Sequence, residues 1–454
     1  MPGAPPRFEE DRREFQETLS GFSATDKPEY EDMARCVHCG LCLNHCPTYR
    51  LWGMEADSPR GRIRQMALVD QGRLELGEAF VTHMDRCLDC RACETACPSG
   101  VEYGKLVEAA RAQIEQKYKR PRATRLARRW VYQGLLPHPR RIAAVARVLR
   151  FYQRSGLQAI ARRSGLLRLL GLAGKDALLP KIDAEFFFSR LGKTYPAQGE
   201  RRARVAFFAG CVAQVTFTAL NDATIRVLQA NGCEVVVPAG QVCCGALAAH
   251  AGVRDAARDV ARANIEVFLR EECDAVVTNA AGCGATLKEY GQLLGESDAG
   301  HERAEEFSGR VQDVTEFLAG LGLVAPLVAV PLRVTLQDSC HLIHGQKIRE
   351  APRKLIRAVP GVELVEMALA DQCCGSAGVY NVTQPEASLA LLKEKMECAR
   401  ATGAQAIVTA NPGCILQLRA GAQMYGTGQE VLHVVELLAR ALGNSAAPAA
   451  SRRT

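Results

Sequence analysis

The sequence of 454 residues has few aromatic side chains, only two of them tryptophans, and no long apolar run. No stretch approaches the ~20 consecutive apolar residues of a membrane-spanning helix, so we expect any membrane contact to be peripheral. The first residues, MPGAPPRFEEDRREFQ, are polar and lack the apolar core of a secretory leader. These absences predict a cytoplasmic protein.

Motifs that bind organic cofactors are also missing. There is no GxGxxG after a predicted strand and no phosphate-binding Walker loop, so we expect no FAD or NAD site in this chain. No pair of side chains is evidently suited to acid–base activation of a substrate. We therefore predict that the chain contributes no catalytic residue of its own.

Acidic residues are absent from residues 116–174, although the chain has 50 Asp and Glu in total. The same stretch holds fifteen Lys and Arg between Lys117 and Arg168, more than the net charge of +7. A local basic segment on an otherwise acidic chain predicts a negatively charged partner surface. An acidic partner subunit and an anionic membrane surface are the two main candidates. Aromatic residues that could stack on bases are few, so we do not expect nucleic acid.

Cysteine, in contrast, is abundant, with nineteen residues that cluster at short range. In a reducing cytoplasm, clustered thiols indicate metal binding rather than disulfides. Two groups share the spacing C-x2-C-x2-C-x3-C-P. They consist of Cys36, Cys39, Cys42 and Cys46, and of Cys87, Cys90, Cys93 and Cys97.

This spacing is that of two-cluster bacterial ferredoxins, in which the fourth Cys of each motif ligates the other cluster. It predicts two [4Fe–4S] clusters with crossed ligands. The first is held by Cys36, Cys39, Cys42 and Cys97, and the second by Cys87, Cys90, Cys93 and Cys46. Zinc is the alternative, but its usual two CxxC pairs do not explain the third Cys or the Cys-Pro ending. Arg60 and Arg62, in SPRGR, are either charge partners of a cluster or ordinary surface arginines.

The remaining chain contains an internal repeat. VAFFAGC pairs with VTLQDSC, QVCCGAL with DQCCGSAG, and AVVTNAAGC with AIVTANPGC, at offsets of 129, 130 and 131 residues. Constant offsets indicate duplication. The shared cysteines are Cys211, Cys243, Cys244 and Cys283 in the first copy, and Cys340, Cys373, Cys374 and Cys414 in the second.

Each copy alternates β-branched runs with helical stretches, which predicts a parallel α/β unit. Its cysteines follow the strands, and the carboxyl ends of parallel strands meet at one edge of a sheet. We therefore expect each copy to bring four cysteines together. They are candidate ligands of one or two further iron–sulfur clusters, with a structural or catalytic dithiol and zinc as alternatives.

The predicted fold class is a multidomain α+β protein, in which a mostly helical two-cluster ferredoxin-like domain precedes two duplicated α/β domains. We place the ferredoxin-like domain at 1–110, a basic helical connector at 111–200, the α/β domains at 201–325 and 326–440, and a disordered tail at 441–454.

The duplicated cysteines resemble the CCG domain of heterodisulfide-reductase-type iron–sulfur subunits. That family's full motif ends in CxxC, whereas Ala280 and Asn411 stand here where the first Cys of the pair would be. The order of ARCVHCGLCLNHCPTYRLWG, SPRGRI, MDRCLDCRACETACPSGV, AGCGATLKEYGQ and CCGSAGVYN resembles the iron–sulfur subunit of glycolate oxidase (glycolate dehydrogenase) along about residues 30–440.

The glycolate oxidase resemblance implies an electron-transfer subunit that works with an FAD-containing partner, which oxidises glycolate to glyoxylate. Electrons would pass through this chain toward a quinone pool at the inner face of the cytoplasmic membrane. The iron–sulfur subunit of a lactate or glycerol-3-phosphate dehydrogenase is one alternative. A thiol–disulfide reductase acting at a CCG site is another, and a cluster-based sensor that binds nucleic acid is a third.

Overall fold

The structure, a computed structural model, describes residues 20–169, 176, 179–443 and 451–452. These residues form two compact units. The first comprises residues 20–126 together with 248–254, and the second comprises the other described residues from 127 onward. Most of the tail predicted to be disordered lies outside the described residues, and the five-part division of the chain stays a prediction.

The first unit is helical. Its helices are Tyr30–Ala34, Pro47–Trp52, Pro59–Asp70, Glu78–Asp85, Ala92–Thr95 and Tyr103–Lys117, with a 3-10 turn at Glu55–Asp57. Prolines occupy the first position of two of these helices, where their missing N–H needs no partner. The apolar faces enclose a core around Met66, Met84 and Leu106. This core holds both ferredoxin-type loops at the ends of short helices.

The basic stretch of the chain is helical as well. It contains Arg122–Arg129, a π-helical turn Trp130–Leu135, Pro139–Arg154, Leu157–Arg163 and Leu166–Leu169. In the second unit, Ile142 and Ala146 of the longest of these helices pack against Ile182 and Val215. One face of this helix is therefore buried.

Ten strands form two sheets in the second unit. They are β1 (Lys193–Tyr195), β2 (Ala203–Phe208), β3 (Cys233–Val237), β4 (Ala275–Thr278), β5 (Val311–Asp313), β6 (Leu332–Leu336), β7 (Val362–Glu366), β8 (Ala406–Thr409), β9 (Glu430–His433) and β10 (Ser451–Arg452). The strand orders are β10-β1-β3-β2-β4-β5 and β7-β6-β8-β9. All pairings are parallel except those of β1 with β3 and β10.

The two sheets repeat one topology. The order β3-β2-β4-β5 of the first copy matches β7-β6-β8-β9 of the second. The register agrees too, because Val205 pairs with Val235 as Val334 pairs with Leu364. The chain is thus α+β, with a helical cysteine-rich part followed by two α/β repeats.

Helices connect the strands of each repeat. The first has Ala213–Thr216, Thr218–Ala230, Ala246–His250, Arg254–Leu269, Ala281–Lys288, Tyr290–Leu294, His301–Arg310 and Val314–Leu321. The second has a π-helical turn His341–Gly345 and then Glu350–Arg357, Tyr380–Thr383, Pro385–Ala401, Pro412–Met424 and Val434–Ala441. Within the described part of the chain, no helix is both long and apolar enough to cross a membrane.

Candidate metal centres

Both ferredoxin-type loops turn at the same two positions. His38 and Gly40 of the first loop have φ of 55° and 85°, and Asp89 and Arg91 of the second have φ of 54° and 59°. A left-handed backbone costs a residue with a side chain roughly 1–2 kcal/mol. Three such residues at matched positions indicate that the loops keep this conformation in order to bind a ligand, because the residues themselves do not favour it.

The turns aim backbone N–H groups at the thiols. The N–H of His38 donates to the sulfur of Cys36. At the matching position the N–H of Asp89 donates to Sγ of Cys87 over 3.4 Å. Backbone N–H groups gathered in this way bind anions, including the sulfur atoms of iron–sulfur clusters. The loops therefore fit the predicted group in conformation as well as in ligand type.

One cavity of the first unit is lined by Cys46, Cys87, Cys90 and Cys93, which we call the second site. All four thiols are buried. Burial, followed by the neighbouring thiols, raises the pKa of Cys93 well above its ordinary value. Since Cys46 comes from the first motif and the others from the second, the fold brings together the crossed set that the spacing predicts.

The remaining thiols, Cys36, Cys39, Cys42 and Cys97, form the first site. Cys36 interacts electrostatically with Cys97 and Cys39, and Cys42 with Cys36. Burial raises the pKa of Cys42 to about 11. Cys39 is exposed and the other three are half-buried, so the first site lies nearer to solvent than the second.

Arg62 is buried beside the second site, with 1% of its surface exposed. Its guanidinium donates to Oγ1 of Thr48 over 3.2 Å and lies 3.3 Å from Oδ1 of Asp57. Burial disfavours its charge, but Tyr103, Cys87, Cys46 and Asp57 outweigh burial and raise the pKa of Arg62. Arg62 is thus a fixed positive charge next to the thiols and is not a surface arginine.

Arg60 has a different position. Its guanidinium pairs with Glu55 at 2.7 Å and donates to the carbonyl oxygen of His38 over 2.9 Å. Arg60 therefore braces the loop of the first site from its exposed side. Of the two arginines in SPRGR, one is a buried charge partner and the other supports a loop.

A partly buried ion network that the sequence did not predict lies against the loop of the second site. Nδ1 of His250 is 2.7 Å from Oε1 of Glu108 and 3.2 Å from Oδ2 of Asp89. Burial disfavours its charge, but the two carboxylates raise the pKa of His250 to about 10. Arg91 and Arg111 lie 3.6 and 3.8 Å from these carboxylates. No local pattern indicates this contact, because His250 is 142 residues from Glu108.

In the first repeat the thiols of Cys211, Cys243, Cys244 and Cys283 meet, and we call them the first repeat site. The thiol of Cys243 hydrogen-bonds with those of Cys211 and Cys244, and the thiol of Cys244 also with that of Cys283. The hydrogen bond with Cys243, together with burial, raises the pKa of Cys211 well above its ordinary value.

The second copy has the same arrangement. Its thiols are those of Cys340, Cys373, Cys374 and Cys414, which we call the second repeat site. The thiol of Cys373 hydrogen-bonds with those of Cys340 and Cys374, and the thiol of Cys374 with that of Cys414. The hydrogen bond with Cys373, together with burial, raises the pKa of Cys374 to about 12. Each copy therefore gathers its four cysteines beyond the carboxyl ends of its strands.

The glycine of each CCG sequence is required by geometry. Gly245 and Gly375 both have φ of 85°, which residues with side chains rarely adopt. A Cβ atom on Gly375 would lie 2.5 Å from the carbonyl oxygen of Ser388. The N–H of Gly245 donates to Sγ of Cys243 over 3.5 Å. The glycine thus lets the backbone turn toward the paired thiols.

Two polar residues make the repeat sites different. The side-chain nitrogen of Asn411 donates to Sγ of Cys414 over 3.4 Å, whereas the first repeat has Ala280 at that position. Lys395 is buried, donates to the carbonyl oxygens of Leu369 and Ala370, and interacts electrostatically with the thiols of the second repeat site. In the sequence pattern Asn411 stands only where a Cys is missing, and nothing in that pattern indicates Lys395.

The described residues thus present four groups of four thiols. Thiolate sets of this kind select iron–sulfur clusters or zinc, and the three-cysteine loops with inward N–H groups favour the clusters at the first and second sites. Bound [4Fe–4S] clusters exchange single electrons. These features define an iron–sulfur electron-transfer protein.

Comparison with known families agrees with this class. A family model described as a 4Fe-4S dicluster domain matches residues 32–101. A model for a cysteine-rich domain matches residues 205–288 and 334–419. A third model, described as the linker region of the glycolate oxidase iron-sulfur subunit, matches residues 123–179.

Relatives match along nearly the whole chain. The probable glycolate oxidase iron-sulfur subunit of Bacillus subtilis is 41% identical over 420 residues, which cover 91% of this chain and 95% of the relative. The glycolate oxidase iron-sulfur subunit of Escherichia coli is 33% identical over 414 residues, 90% and 93% of the two chains. Lactate utilization protein A of Shouchella clausii is 32% identical but covers only 52% of this chain. The chain belongs to the glycolate oxidase iron–sulfur subunit family, as its motifs predicted.

Proposed function

We propose that this chain is the electron-transfer subunit of a flavin-dependent glycolate dehydrogenase complex. It accepts electrons from a partner subunit that contains FAD and passes them toward the quinone pool. The chain acts in the cytoplasm, peripherally at the inner face of the membrane, and does not oxidise the 2-hydroxy acid by itself. The observation that carries this proposal is similarity along about nine-tenths of the chain to two glycolate oxidase iron–sulfur subunits.

In this proposal the first and second sites each hold one [4Fe–4S] cluster. Cys36, Cys39, Cys42 and Cys97 ligate one, and Cys87, Cys90, Cys93 and Cys46 ligate the other. Around the second site, Arg62 offsets the negative charge of thiolates and cluster, and burial keeps water away. The more exposed first site suits exchange of electrons with a partner.

The two repeat sites are proposed to hold one or two further clusters. Their thiols are gathered and most of them are buried, and the glycine of each CCG sequence leaves the backbone close to the sulfur atoms. Iron well above about eight ions per anaerobically prepared chain would support this, since two [4Fe–4S] clusters account for about eight. Iron that stays at about eight would leave the repeats without clusters.

Two alternatives are less well supported. A lactate-oxidising complex is suggested by lactate utilization protein A, but that relative matches only half of this chain, and the linker match is to the glycolate oxidase family. A thiol–disulfide reductase needs a reactive thiolate with a lowered pKa. The cysteines of both repeats are instead largely buried, and the pKa of Cys211, Cys244, Cys373 and Cys414 is raised.

The test is substrate-dependent reduction in the purified complex. Glycolate is added without oxygen, and the flavin absorbance and the electron paramagnetic resonance of the clusters are followed together. We expect cluster signals to appear after glycolate and to be weaker after lactate. Flavin reduction with unchanged cluster signals, or purification without any flavoprotein, would contradict the proposal. Cys398→Ser serves as a control, because Cys398 lies outside all four sites.

A further inference from the structure

The helix Pro139–Arg154 carries apolar side chains on a second face, which is exposed to solvent. One side of the helix is buried through Ile142 and Ala146. On the other side, Val148 and Phe151 are 71% and 66% exposed. Two large apolar side chains three residues apart lie on one face of a helix. This face is therefore an apolar strip with no covering element in the described part of the chain.

Arginines line one edge of this strip. Arg140, Arg147 and Arg154 follow each other at intervals of seven residues, which is close to two helical turns, and all three are exposed. Within the described residues, none of these guanidinium groups forms an ion pair with a carboxylate. The apolar strip is thus flanked by a straight row of unneutralised positive charge.

Neighbouring residues extend the same character. Ile160 and Leu157 of the next helix are 63% and 45% exposed, and Trp130 is 54% exposed. Residues 116–174 contain no acidic side chain that would pair with a basic partner surface. The surroundings therefore repeat the combination of exposed apolar and basic side chains.

An anionic lipid surface fits this combination better than an acidic protein does. An acidic protein would account for the arginines, but it would not require apolar side chains aligned with a straight row of charge. At a bilayer, apolar side chains insert between headgroups while arginines contact lipid phosphates. Each basic residue near an anionic surface also strengthens binding about fivefold, so three in a row strengthen it roughly a hundredfold.

We propose that the helix Pro139–Arg154 binds the surface of an anionic bilayer, with Val148 and Phe151 inserted and Arg140, Arg147 and Arg154 against lipid phosphates. This inference deepens the proposed function, because it names the surface by which the chain meets the membrane. It rests on exposure and charge in this helix and needs no assumption about the metal sites.

Vesicle flotation of the full chain tests the proposal. The vesicles consist of phosphatidylcholine alone or of equal parts phosphatidylcholine and phosphatidylglycerol. We expect binding to the anionic vesicles only, and weaker binding as salt is raised. The variant Arg140→Gln/Arg147→Gln/Arg154→Gln should bind roughly a hundredfold more weakly. The variant Val148→Ser/Phe151→Ser should lose about tenfold or more.

Matched controls isolate this helix. Arg270→Gln/Arg303→Gln/Arg357→Gln changes the net charge equally at other exposed arginines, and Val324→Ser/Val328→Ser removes other exposed apolar side chains. Both controls should bind as wild type does. Wild type that binds no anionic vesicle, or controls that lose as much as the helix variants, would overturn the proposal. Loss of flavoprotein binding with unchanged vesicle binding would assign the face to a protein and overturn it too.

Failure of this proposal is separable from failure of the proposed function. Glycolate-dependent reduction of the clusters is measured in the same variants with a soluble electron acceptor. A helix variant that no longer binds vesicles and still shows this reduction supports both proposals. Wild type that shows the reduction but never binds vesicles retains the function and rejects the membrane surface.

Discussion

Nδ1 of His250 lies 2.7 Å from Oε1 of Glu108, although the two residues are 142 positions apart. The same nitrogen lies 3.2 Å from Asp89, which sits between two thiols of the second site. A partly buried imidazolium shared by two carboxylates therefore supports the loop that holds Cys87 and Cys90. The loop's left-handed residues depend on such outside support.

Replacing this histidine should weaken the first unit. His250→Ala leaves the buried carboxylate of Asp89 and the partly buried carboxylate of Glu108 without their shared cation. Breaking a fully buried charge pair costs about 3–5 kcal/mol, which is the upper bound for this loss. The measurement is the urea midpoint at which the iron–sulfur absorbance is lost. His301→Ala is the control, because the ring of His301 bonds the backbone carbonyl of Gly291 and lies outside this network. An unchanged midpoint for His250→Ala would show that the network does not support the loop.

The same network predicts a dependence on pH. The pKa of His250 is raised to about 10 from an ordinary value near 6.5, so the folded chain holds a proton that the unfolded chain releases. The resulting stability is fully present below about pH 6.5 and is lost as the pH rises through about 10. The difference in urea midpoint between wild type and His250→Ala should therefore shrink from pH 7 to pH 10. A difference that stays constant over this range would contradict the assigned charge.

Arg62 should set the reduction potential of the second site. Reduction adds a negative charge to a cluster, and a buried positive charge next to the thiols stabilises it. Arg62→Gln removes that stabilisation, so it should lower the reduction potential on the order of tens of millivolts. A redox titration followed by electron paramagnetic resonance measures the shift. Arg62→Lys keeps the charge and should retain most of the wild-type potential. This comparison separates an effect of charge from an effect of misfolding. Equal shifts in both variants would mean that packing, not charge, matters.

Crossed ligation makes two serine variants complementary. Cys97→Ser should damage the cluster of the first site, because Cys97 lies beside Cys36. Cys46→Ser should damage the cluster of the second site, because Cys46 shares a cavity with Cys87, Cys90 and Cys93. Spectroscopy of the two clusters distinguishes these outcomes. Damage by Cys97→Ser that is confined to the second-site cluster would show that the motifs do not cross.

Much of this architecture follows from local sequence. The motif C-x2-C-x2-C-x3-C-P predicts the loops, because its thiols and its terminal proline all lie within about a dozen consecutive residues. A signal this local does not depend on how the rest of the chain folds. The offsets of 129–131 residues predict two copies of one α/β unit. The apolar run VAFF of VAFFAGC lies within β2, since a buried parallel strand is continuously apolar.

Contacts between distant residues were beyond sequence patterns. His250 meets Glu108 only because the fold places residues 248–254 in the first unit. Lys395 reaches the second repeat site from a long helix, and a lysine within an amphipathic helix ordinarily indicates a solvated face. Arg62 was recognised as a candidate, but its burial depends on Asp57 and Thr48 folding over it. Burial of charge is a property of packing, which spacing alone does not encode.

The most direct test of the central claim is a metal and sulfide analysis of the chain prepared without oxygen. Two crossed [4Fe–4S] clusters predict at least about eight iron and eight acid-labile sulfide ions per chain, with little zinc. Combined loss of iron and sulfide in Cys46→Ser and Cys97→Ser, but not in Cys398→Ser, would accompany this result. A colourless chain that holds stoichiometric zinc and little iron or sulfide would contradict it.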